Sequence, residues 1–249
     1  MEIALTRLTS APLSRRKIFI MLGGAGLAAG CAVDGLPSFP AQSAGGLSEA
    51  DAAAGIRAAL NNGVSSAIST IGVADGFLLN NLIHIPLPKT LKDMQSSLSK
   101  IGLAGPLDTL ETQLNRGAEA AVPKARAIFV DAISAMSISD AIGIVRGGDN
   151  AATDYLKGRT MPSLTNLFTP IMTTALEQAG AIRTLDSLAA RLKAVPLAPK
   201  LGADAKSDLI RHGVEFGLAG MFTYIGKEEA AIRANPAKRT SEILRRVFG

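Results

Sequence analysis

Three short stretches of the chain carry the polar side chains best suited to acid–base chemistry. Together they contain Asn115, Arg116, Glu119, Thr153, Tyr155, Glu228, Glu229 and Arg233. If these groups converge on one cleft between helices, a carboxylate such as Glu119 or Glu228 beside an arginine could act as a general acid or base, because burial and charged neighbours displace its pKa. The alternative is that each stretch is a solvated helix face with ion pairs four residues apart.

Metal and cofactor chemistry finds little support in the sequence. With only two histidines, His84 and His212, and a single cysteine, a zinc site of the usual Cys/His type cannot be assembled. Asp149, Asn150 and Asp154 could offer oxygen atoms to calcium, but their spacing is not that of an EF-hand loop and is typical of a helix cap. We therefore expect no metal site and no cofactor.

Two motifs resemble catalytic signatures only in part. Ser97-Leu98-Ser99-Lys100 has the Ser-x-x-Lys spacing of penicillin-binding enzymes, but the S-D-N and K-T-G partners of those enzymes are missing. Gly220 to Gly226-Lys227 has one residue too many for a phosphate-binding loop, and Glu228 stands where Ser or Thr is required. Neither motif predicts an activity.

The composition favours a helical fold. Apolar residues make up 47% of the 249, but there is no tryptophan and there are only two tyrosines and eight phenylalanines. A core of Leu, Ile, Val, Ala and Met in an alanine-rich chain favours helix over strand. The sequence predicts a mainly α protein, a multi-helix globular bundle.

The net charge of +5 does not predict nucleic-acid binding. Residues 1–30 hold four cations and one acid, which leaves a net charge of +2 for the remainder of the chain. Charges that nearly balance and are interspersed indicate a solvated surface and not a phosphate-binding stripe.

Residues 1–30 have the features of an export signal. Arg15, Arg16 and Lys17 precede an apolar run over residues 18–29, which is shorter than the roughly 20 residues that a membrane-spanning helix needs. The arginine pair resembles a twin-arginine export signal.

The single cysteine, Cys31, follows Ala28-Ala29-Gly30. Small residues before a cysteine resemble a bacterial lipobox, so we expect Cys31 to carry acyl groups. Two or three chains, at about 0.8 kcal/mol per buried methylene, would anchor the protein stably. The alternative is an unmodified thiol within an ordinary signal peptide cleaved after Ser43. Ala32 beside the cysteine, where aspartate would favour retention at the inner membrane, favours the outer membrane and the periplasmic side of the envelope.

The remainder divides into a tether and a domain. Residues 31–46 are rich in Gly, Pro, Ser and Ala without a period, and a tether of that length spans about 20 Å. Residues 47–249 are expected to form a single helical domain, with residues 206–249 as a possible separate lobe at its C-terminus.

Capping residues, prolines and apolar spacing set the expected helix boundaries. Ser48 with Asp51 predicts a helix that ends near Ile71, and Pro86 and Pro88 predict a short extended segment over residues 83–88. Apolar residues from Leu107 to Ala121 predict an amphipathic helix. Further on, we expect a short helix over residues 150–155 and a separate longer one over residues 164–176.

Glycines at helical spacing occur near the C-terminus. Gly213, Gly217 and Gly220 would let a neighbouring backbone approach this helix closely. The charged residues Arg211, His212 and Glu215 exclude a membrane span over the same stretch.

The order of the motifs is similar to that of a bacterial family known only as domain of unknown function 4197. The matching stretches are Asp75-Gly76-Phe77, Ile85-Pro86-Leu87-Pro88, Asn115-Arg116-Gly117-Ala118-Glu119 with Pro123, Ala151-Ala152-Thr153-Asp154-Tyr155, Ile232-Arg233-Ala234-Asn235-Pro236 and Leu244-Arg245-Arg246-Val247-Phe248-Gly249. The resemblance covers residues 47–249 and implies a helical, often lipoprotein-like bacterial protein. It implies no catalytic residue, and Gly117 stands where it leads us to expect alanine.

From these observations we expect a non-catalytic cell-envelope lipoprotein. It would be held at a membrane by its lipid anchor and would bind an envelope protein or an apolar ligand between its helices. The alternative is an enzyme without a cofactor that uses Glu, Arg and Tyr side chains in an inter-helix cleft.

Overall fold

The computed structural model describes residues 48–178, 180–193 and 204–234. All of these residues belong to one compact unit. The predicted export signal with Arg15 and Arg16, the lipid site at Cys31, the tether and the last predicted helix lie outside the described residues.

The described part of the chain is helical and contains no strand, which confirms the predicted fold class. The helices are α1 (Glu49–Ile71), α2 (Lys89–Ser99), α3 (Gly105–Ala121), α4 (Arg126–Ser134), α5 (Ile138–Arg146), α6 (Ala151–Gln178), α7 (Ala181–Lys193) and α8 (Ala205–Ala234). A short 3-10 turn, Val122–Ala125, joins α3 to α4. Helix α6 packs against both α3 and α8, and α1 covers α8, α4 and α5.

The core is assembled from the apolar stripes of these helices. On α3 the predicted stripe of Leu107, Leu110, Leu114, Ala118 and Ala121 is buried, with each residue at most 1% exposed. Burying one such leucine is worth about 1.5–3 kcal/mol. The stripe therefore fixes which face of α3 turns inward, and it leaves Asn115, Arg116 and Glu119 beside that face.

The predicted cap of α1 is confirmed, and α5 begins with a cap of the same kind. The Ser48 hydroxyl accepts a hydrogen bond from the Asp51 amide at 3.1 Å at the start of α1. At α5, Ser137 and Asp140 form a reciprocal capping box, in which the Asp140 carboxylate also accepts from the Ser137 amide at 3.0 Å. Such bonds satisfy amides that have no partner within the helix.

The two separate helices predicted over residues 150–155 and 164–176 are wrong, because α6 runs unbroken from Ala151 to Gln178 through Pro162 and Pro170. A proline inside a helix costs about 3 kcal/mol. The opposing force is burial at every fourth position across both prolines: Leu156, Thr160, Leu164, Phe168, Met172 and Leu176 are all at most 1% exposed. Burial on this scale offsets the two lost hydrogen bonds.

Glycines on α8 allow the close approach that their spacing predicts. A Cβ atom at Gly213 would lie 2.8 Å from Leu114 Cδ2, and one at Gly220 would lie 2.8 Å from Phe77 Cε1. Gly117 on α3 has the same role, because a Cβ there would lie 2.6 Å from Met172 Sδ. Gly117, where the family resemblance led us to expect alanine, thus allows α3 and α6 to pack closely.

Among the described helices, none is by itself long and apolar enough to cross a membrane. One pair of helical stretches, Gly105–Ser134 and Ile138–Arg146, meets the length and composition test together, with a bend of 102° between them.

Candidate functional site

The structure divides the eight predicted cleft residues among separate places. Asn115, Arg116 and Glu119 lie together on α3, where they hold the loop that follows α1. Thr153, Glu229 and Arg233 meet where α6 begins beside the end of α8. Tyr155 and Glu228 make other contacts.

Glu119 is the centre of the first cluster. Its side chain is 6% exposed, and Oε1 accepts hydrogen bonds from the amides of Phe77 and Leu78, both at 3.0 Å. Oε2 accepts from Arg116 Nη1 at 2.7 Å, and Arg116 Nη2 reaches Asp75 Oδ1 at 2.7 Å. The hydrogen bonds to Glu119 and then to Asp75 raise the pKa of the Arg116 guanidinium. The buried charge of Glu119 is therefore balanced and fully hydrogen-bonded.

Asn115 holds the segment after this loop. Its Oδ1 accepts from the Ile85 amide at 2.8 Å, and its Nδ2 donates to the Ile85 carbonyl at 2.9 Å. The side-chain amide thus pairs with the backbone as a neighbouring strand would. Residues 84–88 form neither helix nor strand, and the segment runs along α3 with Ile85 and Leu87 buried.

Asp75 and Gly76, which belong to one of the stretches that match the family, form the turn before this loop. Asp75 has φ +66°, a left-handed conformation that Asp tolerates better than most residues. At Gly76 a Cβ would lie 2.3 Å from the Ile71 carbonyl oxygen, so only glycine fits.

We call Asn115, Arg116 and Glu119 the loop clamp. The loop that it holds exposes 73% of Leu79 and 52% of Leu82.

Glu229 is the centre of the second cluster. Its Oε1 accepts from the Ala152 amide at 3.0 Å, and its Oε2 accepts from the Thr153 amide at 2.8 Å and the Thr153 hydroxyl at 2.7 Å. Arg233 donates to Glu229 Oε1 at 2.8 Å and to the Ile144 carbonyl at 3.0 Å. Glu229 therefore caps the first turn of α6 from α8, where a negative charge is favoured. We call Glu229 and Arg233 the helix clamp.

The two clamps share one design. In each, a nearly buried carboxylate accepts two consecutive backbone amides that are distant in sequence, and an arginine three or four residues away on the same helix neutralises it. Both oxygens of each carboxylate thus accept hydrogen bonds from donors of the fold itself, and Glu229 accepts five. A general base needs a free position toward its substrate, so the geometry indicates structural roles for Glu119 and Glu229.

Tyr155 and Glu228 lie apart from these clamps. The Arg159 guanidinium carbon lies 5.5 Å from the centre of the Tyr155 ring. Burial, followed by the charge of Asp140, raises the pKa of the Tyr155 phenol, which moves it away from the range useful for acid–base catalysis near neutral pH. Glu228 accepts from the Ser66 hydroxyl at 2.8 Å at the contact of α8 with α1.

A further polar cluster, which no sequence motif indicated, surrounds His84. One ring nitrogen lies 2.8 Å from the Leu78 carbonyl oxygen and the other 2.7 Å from Glu111 Oε1. Gln95 on α2 donates to both Glu111 and Asp108 at 2.8 Å. His212 approaches the Pro86 carbonyl oxygen at 2.7 Å. Both histidines therefore hold the segment between α1 and α2, and only the folded structure brings these distant positions together.

A spacious concave surface lies between α6 and α8. The two helices run antiparallel here, since Gly213 faces Met172 while Gly226 faces Thr153. One half of this α6/α8 groove has a volume of about 670 Å³. Its apolar lining comprises Met161, Ile210, Val214 and Leu218, with Thr165, Thr169 and Thr173 along α6. The hydroxyls of Thr169 and Thr173 donate to carbonyls of α6 itself, so a ligand need not supply acceptors for them.

The second half of the groove has a volume of about 550 Å³. We call it the polar half because it holds both Lys157 and Lys227, and we call the first half the apolar half because it holds Met161, Ile210, Val214 and Leu218. Its lining includes Asn150, Thr153, Asp154, Thr223 and Lys227. Lys157 and Ala219 belong to both halves, which makes the groove continuous. Of the predicted cleft residues, Thr153 lines this groove, and it is also a partner of the helix clamp.

A smaller cavity lies among α1, α5 and α8. Glu229 and Arg233 form one wall, and the rest of the lining is apolar. Its volume of about 30 Å³ has room for one or two water molecules. This cavity is therefore too small for a substrate or a cofactor.

Within the described ranges, no group of three or more His, Cys, Asp and Glu side chains is placed to hold a metal ion. The polar clusters of this part of the chain are ion pairs and backbone caps. The open α6/α8 groove is accordingly the candidate site.

Comparison with protein families assigns the chain. The model of the family described as "Protein of unknown function (DUF4197)" matches residues 46–249. Searches of curated proteins and of solved structures found no match. Several of the motifs that carried the resemblance are partners in the clamps: Asp75 and Phe77 meet the 115–119 motif, and Thr153 meets the helix clamp. The chain belongs to the DUF4197 family.

Proposed function

We propose that this protein is an exported envelope lipoprotein whose helical domain binds an apolar or amphiphilic ligand in the α6/α8 groove. The observation that carries the binding proposal is the groove itself. Its apolar half, at about 670 Å³, lies within the roughly 300–1,000 Å³ of small-molecule sites. The exported location is supported by the sequence features before residue 47, the arginine pair, the short apolar run and Cys31.

The lining of the groove favours a ligand with a long apolar part. Val214 and Leu218 form a buried floor, at 4% and 3% exposure, while Thr165 and Thr169 on the wall are open to solvent. At about 1.5 Å per residue, α6 rises about 18 Å from Met161 to Thr173. That length is comparable with an extended acyl chain, and it favours a slender ligand over a bulky partner protein.

The alternative of acid–base catalysis has less support. The two most buried carboxylates, Glu119 and Glu229, face backbone amides and arginines of their own fold. The phenol of Tyr155 has a raised pKa. A binding function requires no activated group and agrees with a groove of apolar side chains.

An uncharged fluorescent probe, N-phenyl-1-naphthylamine, tests the binding proposal without assuming a head group. The full chain should bind the probe saturably at one site. Ala219→Trp places an indole where the two halves of the groove join and should weaken binding at least tenfold.

Ala58→Trp is the matched control, because Ala58 is exposed on α1 and does not line the groove. It should leave probe binding unchanged. Absence of saturable binding, or equal effects of the two tryptophans, would contradict the proposal.

The lipid anchor has its own test. Mass spectrometry of the N-terminal peptide from the native protein should show Cys31 as the first residue, bearing two or three acyl chains. Cys31→Ser should move the protein from the membrane fraction to the soluble fraction. An unacylated Cys31 in a membrane-free native protein would contradict this part of the proposal.

A further inference from the structure

We propose that the ligand of the α6/α8 groove is a single-chain amphiphile with an anionic head group, bound with its head between Lys157 and Lys227. This inference rests on the proposed function and names the chemical class of the ligand. It also fixes the direction in which the ligand lies.

The pairing of the cations along the groove supports this inference. Lys157 and Lys227 line the polar half with a single carboxylate, Asp154. The formal charges sum to +1 there and also in the apolar half, where Lys157 and Arg211 lie with Glu215, so the two halves differ in how their cations are paired and not in their net charge. Among the described residues, no carboxylate lies within 4.0 Å of either lysine nitrogen, whereas Arg211 at the apolar half pairs with Asp208 at 2.7 Å and approaches Glu215 at 3.9 Å. Within the described ranges, an incoming anion would therefore displace no carboxylate from either lysine.

Asn150 is a neutral polar group that lines the same half beside the lysines. The hydroxyls of Thr153 and Thr223 donate within the protein, to Glu229 Oε2 at 2.7 Å and to the Ala219 carbonyl at 2.9 Å. Lys227 is held with Nζ 5.0 Å from the centre of the Tyr224 ring. The apolar half begins at Met161, one helical turn after Lys157. A bound amphiphile would therefore place its charge near Lys157 and extend its chain toward Thr173.

The test compares ligands that differ only in the head group. Decanoate and 1-decanol, each below its aggregation concentration, are titrated against the full chain with the uncharged probe as the displaced reporter. Decanoate should bind more tightly, with a preference that falls as salt is added, because exposed charges are screened. Decyl phosphate as a third ligand distinguishes a phosphate head from a carboxylate head, and both belong to the proposed class.

Charge-removing variants locate the head group. The double variant Lys157→Gln/Lys227→Gln should weaken decanoate binding about tenfold, as expected for the loss of two exposed ion pairs, and should leave 1-decanol unchanged. The control Lys92→Gln/Lys100→Gln removes the same charge from exposed positions around α2 and should change neither affinity.

Nitroxide-labelled fatty acids test the direction. A label near the carboxylate of stearate should broaden amide signals around Lys157, and a label near the methyl end should broaden those around Thr173. Equal affinities for decanoate and 1-decanol, equal effects of the two double variants, or a reversed broadening pattern would overturn the inference while the groove remains a binding site. Failure of every amphiphile to displace the probe would overturn the proposed function as well.

Discussion

At the residue scale, the buried carboxylates in the described part of the chain hold backbone segments in place through hydrogen bonds. Glu119 and Glu229 each accept two consecutive amides that begin a turn or a helix, and each has an arginine beside it. An unpaired buried amide or charge is costly, so such side chains specify where a loop or a helix can sit.

Removing the charge of Glu229 should destabilise the fold. In Glu229→Gln one acceptor oxygen becomes a donor that faces backbone amides, and the ion pair between Glu229 and Arg233 is lost. The free energy of unfolding should fall by about 3 kcal/mol. Urea unfolding measures this. Glu215→Gln is the control on the same helix, at a side chain 65% exposed, and should change stability by less than about 0.5 kcal/mol. Equal stability of the two variants would show that the helix clamp does not stabilise the fold.

Asp140 should show a capping effect in its titration. The Ser137 amide, and then the Ser137 hydroxyl, lower the pKa of Asp140 below 3.8. Since the folded state favours the carboxylate, this contribution to stability is present above about pH 4 and is lost as pH falls through the folded pKa. By NMR titration, Ser137→Ala should raise the pKa part of the way to 3.8, because the amide remains. Ser139→Ala should not move it, and an equal shift in both variants would contradict the cap.

At the element scale, helices α3, α6 and α8 approach closely because glycines lie at their crossings. The spacing of Gly213, Gly217 and Gly220 predicted a close contact. In the structure these glycines lie against Leu114, Ala118 and Phe77 respectively. The prolines of α6 led to the wrong prediction of two separate helices. A local rule for helix ends takes no account of the burial that a helix gains by continuing.

Adding one methyl group at Gly220 should weaken the protein. The new Cβ would lie 2.8 Å from Phe77 Cε1 and 3.0 Å from Ile83 Cβ, both in a segment held by the loop clamp. Overpacking of this kind costs about 1–3 kcal/mol, and the gain in helix propensity offsets part of it.

Gly158→Ala provides the matched control for Gly220→Ala. A Cβ at Gly158 would have no neighbour within 4 Å, so this variant should gain about 0.5–1 kcal/mol from helix propensity alone. Thermal unfolding of both variants decides the matter. A Gly220→Ala protein that is as stable as Gly158→Ala would contradict the close packing of α8 on the clamped loop.

At the scale of the whole molecule, the sequence could predict what depends on neighbours in the chain. The helical class, the caps of Ser48 and Ser137, and the buried stripe of α3 follow from local spacing. The pairing of Glu119 with residue 77, or of Glu229 with residue 152, spans tens of residues and depends on how the helices pack. For that reason the sequence could single out these polar residues, but it could not decide between one shared cleft and separate helix faces.

The α6/α8 groove could not be predicted from the sequence for the same reason. Its threonines and its lysines occur at ordinary helical spacing, and nothing in that spacing reveals that two faces meet across an open space. Only the antiparallel packing of α6 and α8 brings the apolar and polar halves into line. The proposed function therefore depends on the tertiary arrangement and not on any motif.

Photocrosslinking tests the central claim, that the α6/α8 groove holds a slender amphiphile, most directly. A fatty acid with a diazirine near the end of its chain is incubated with the full chain, irradiated, and mapped by peptide mass spectrometry. We predict that crosslinks concentrate on groove residues of α6 between Met161 and Thr173 and of α8 between Ser207 and Leu218, and that Ala219→Trp abolishes them. Crosslinks spread over other surfaces, or unaffected by Ala219→Trp, would contradict the claim.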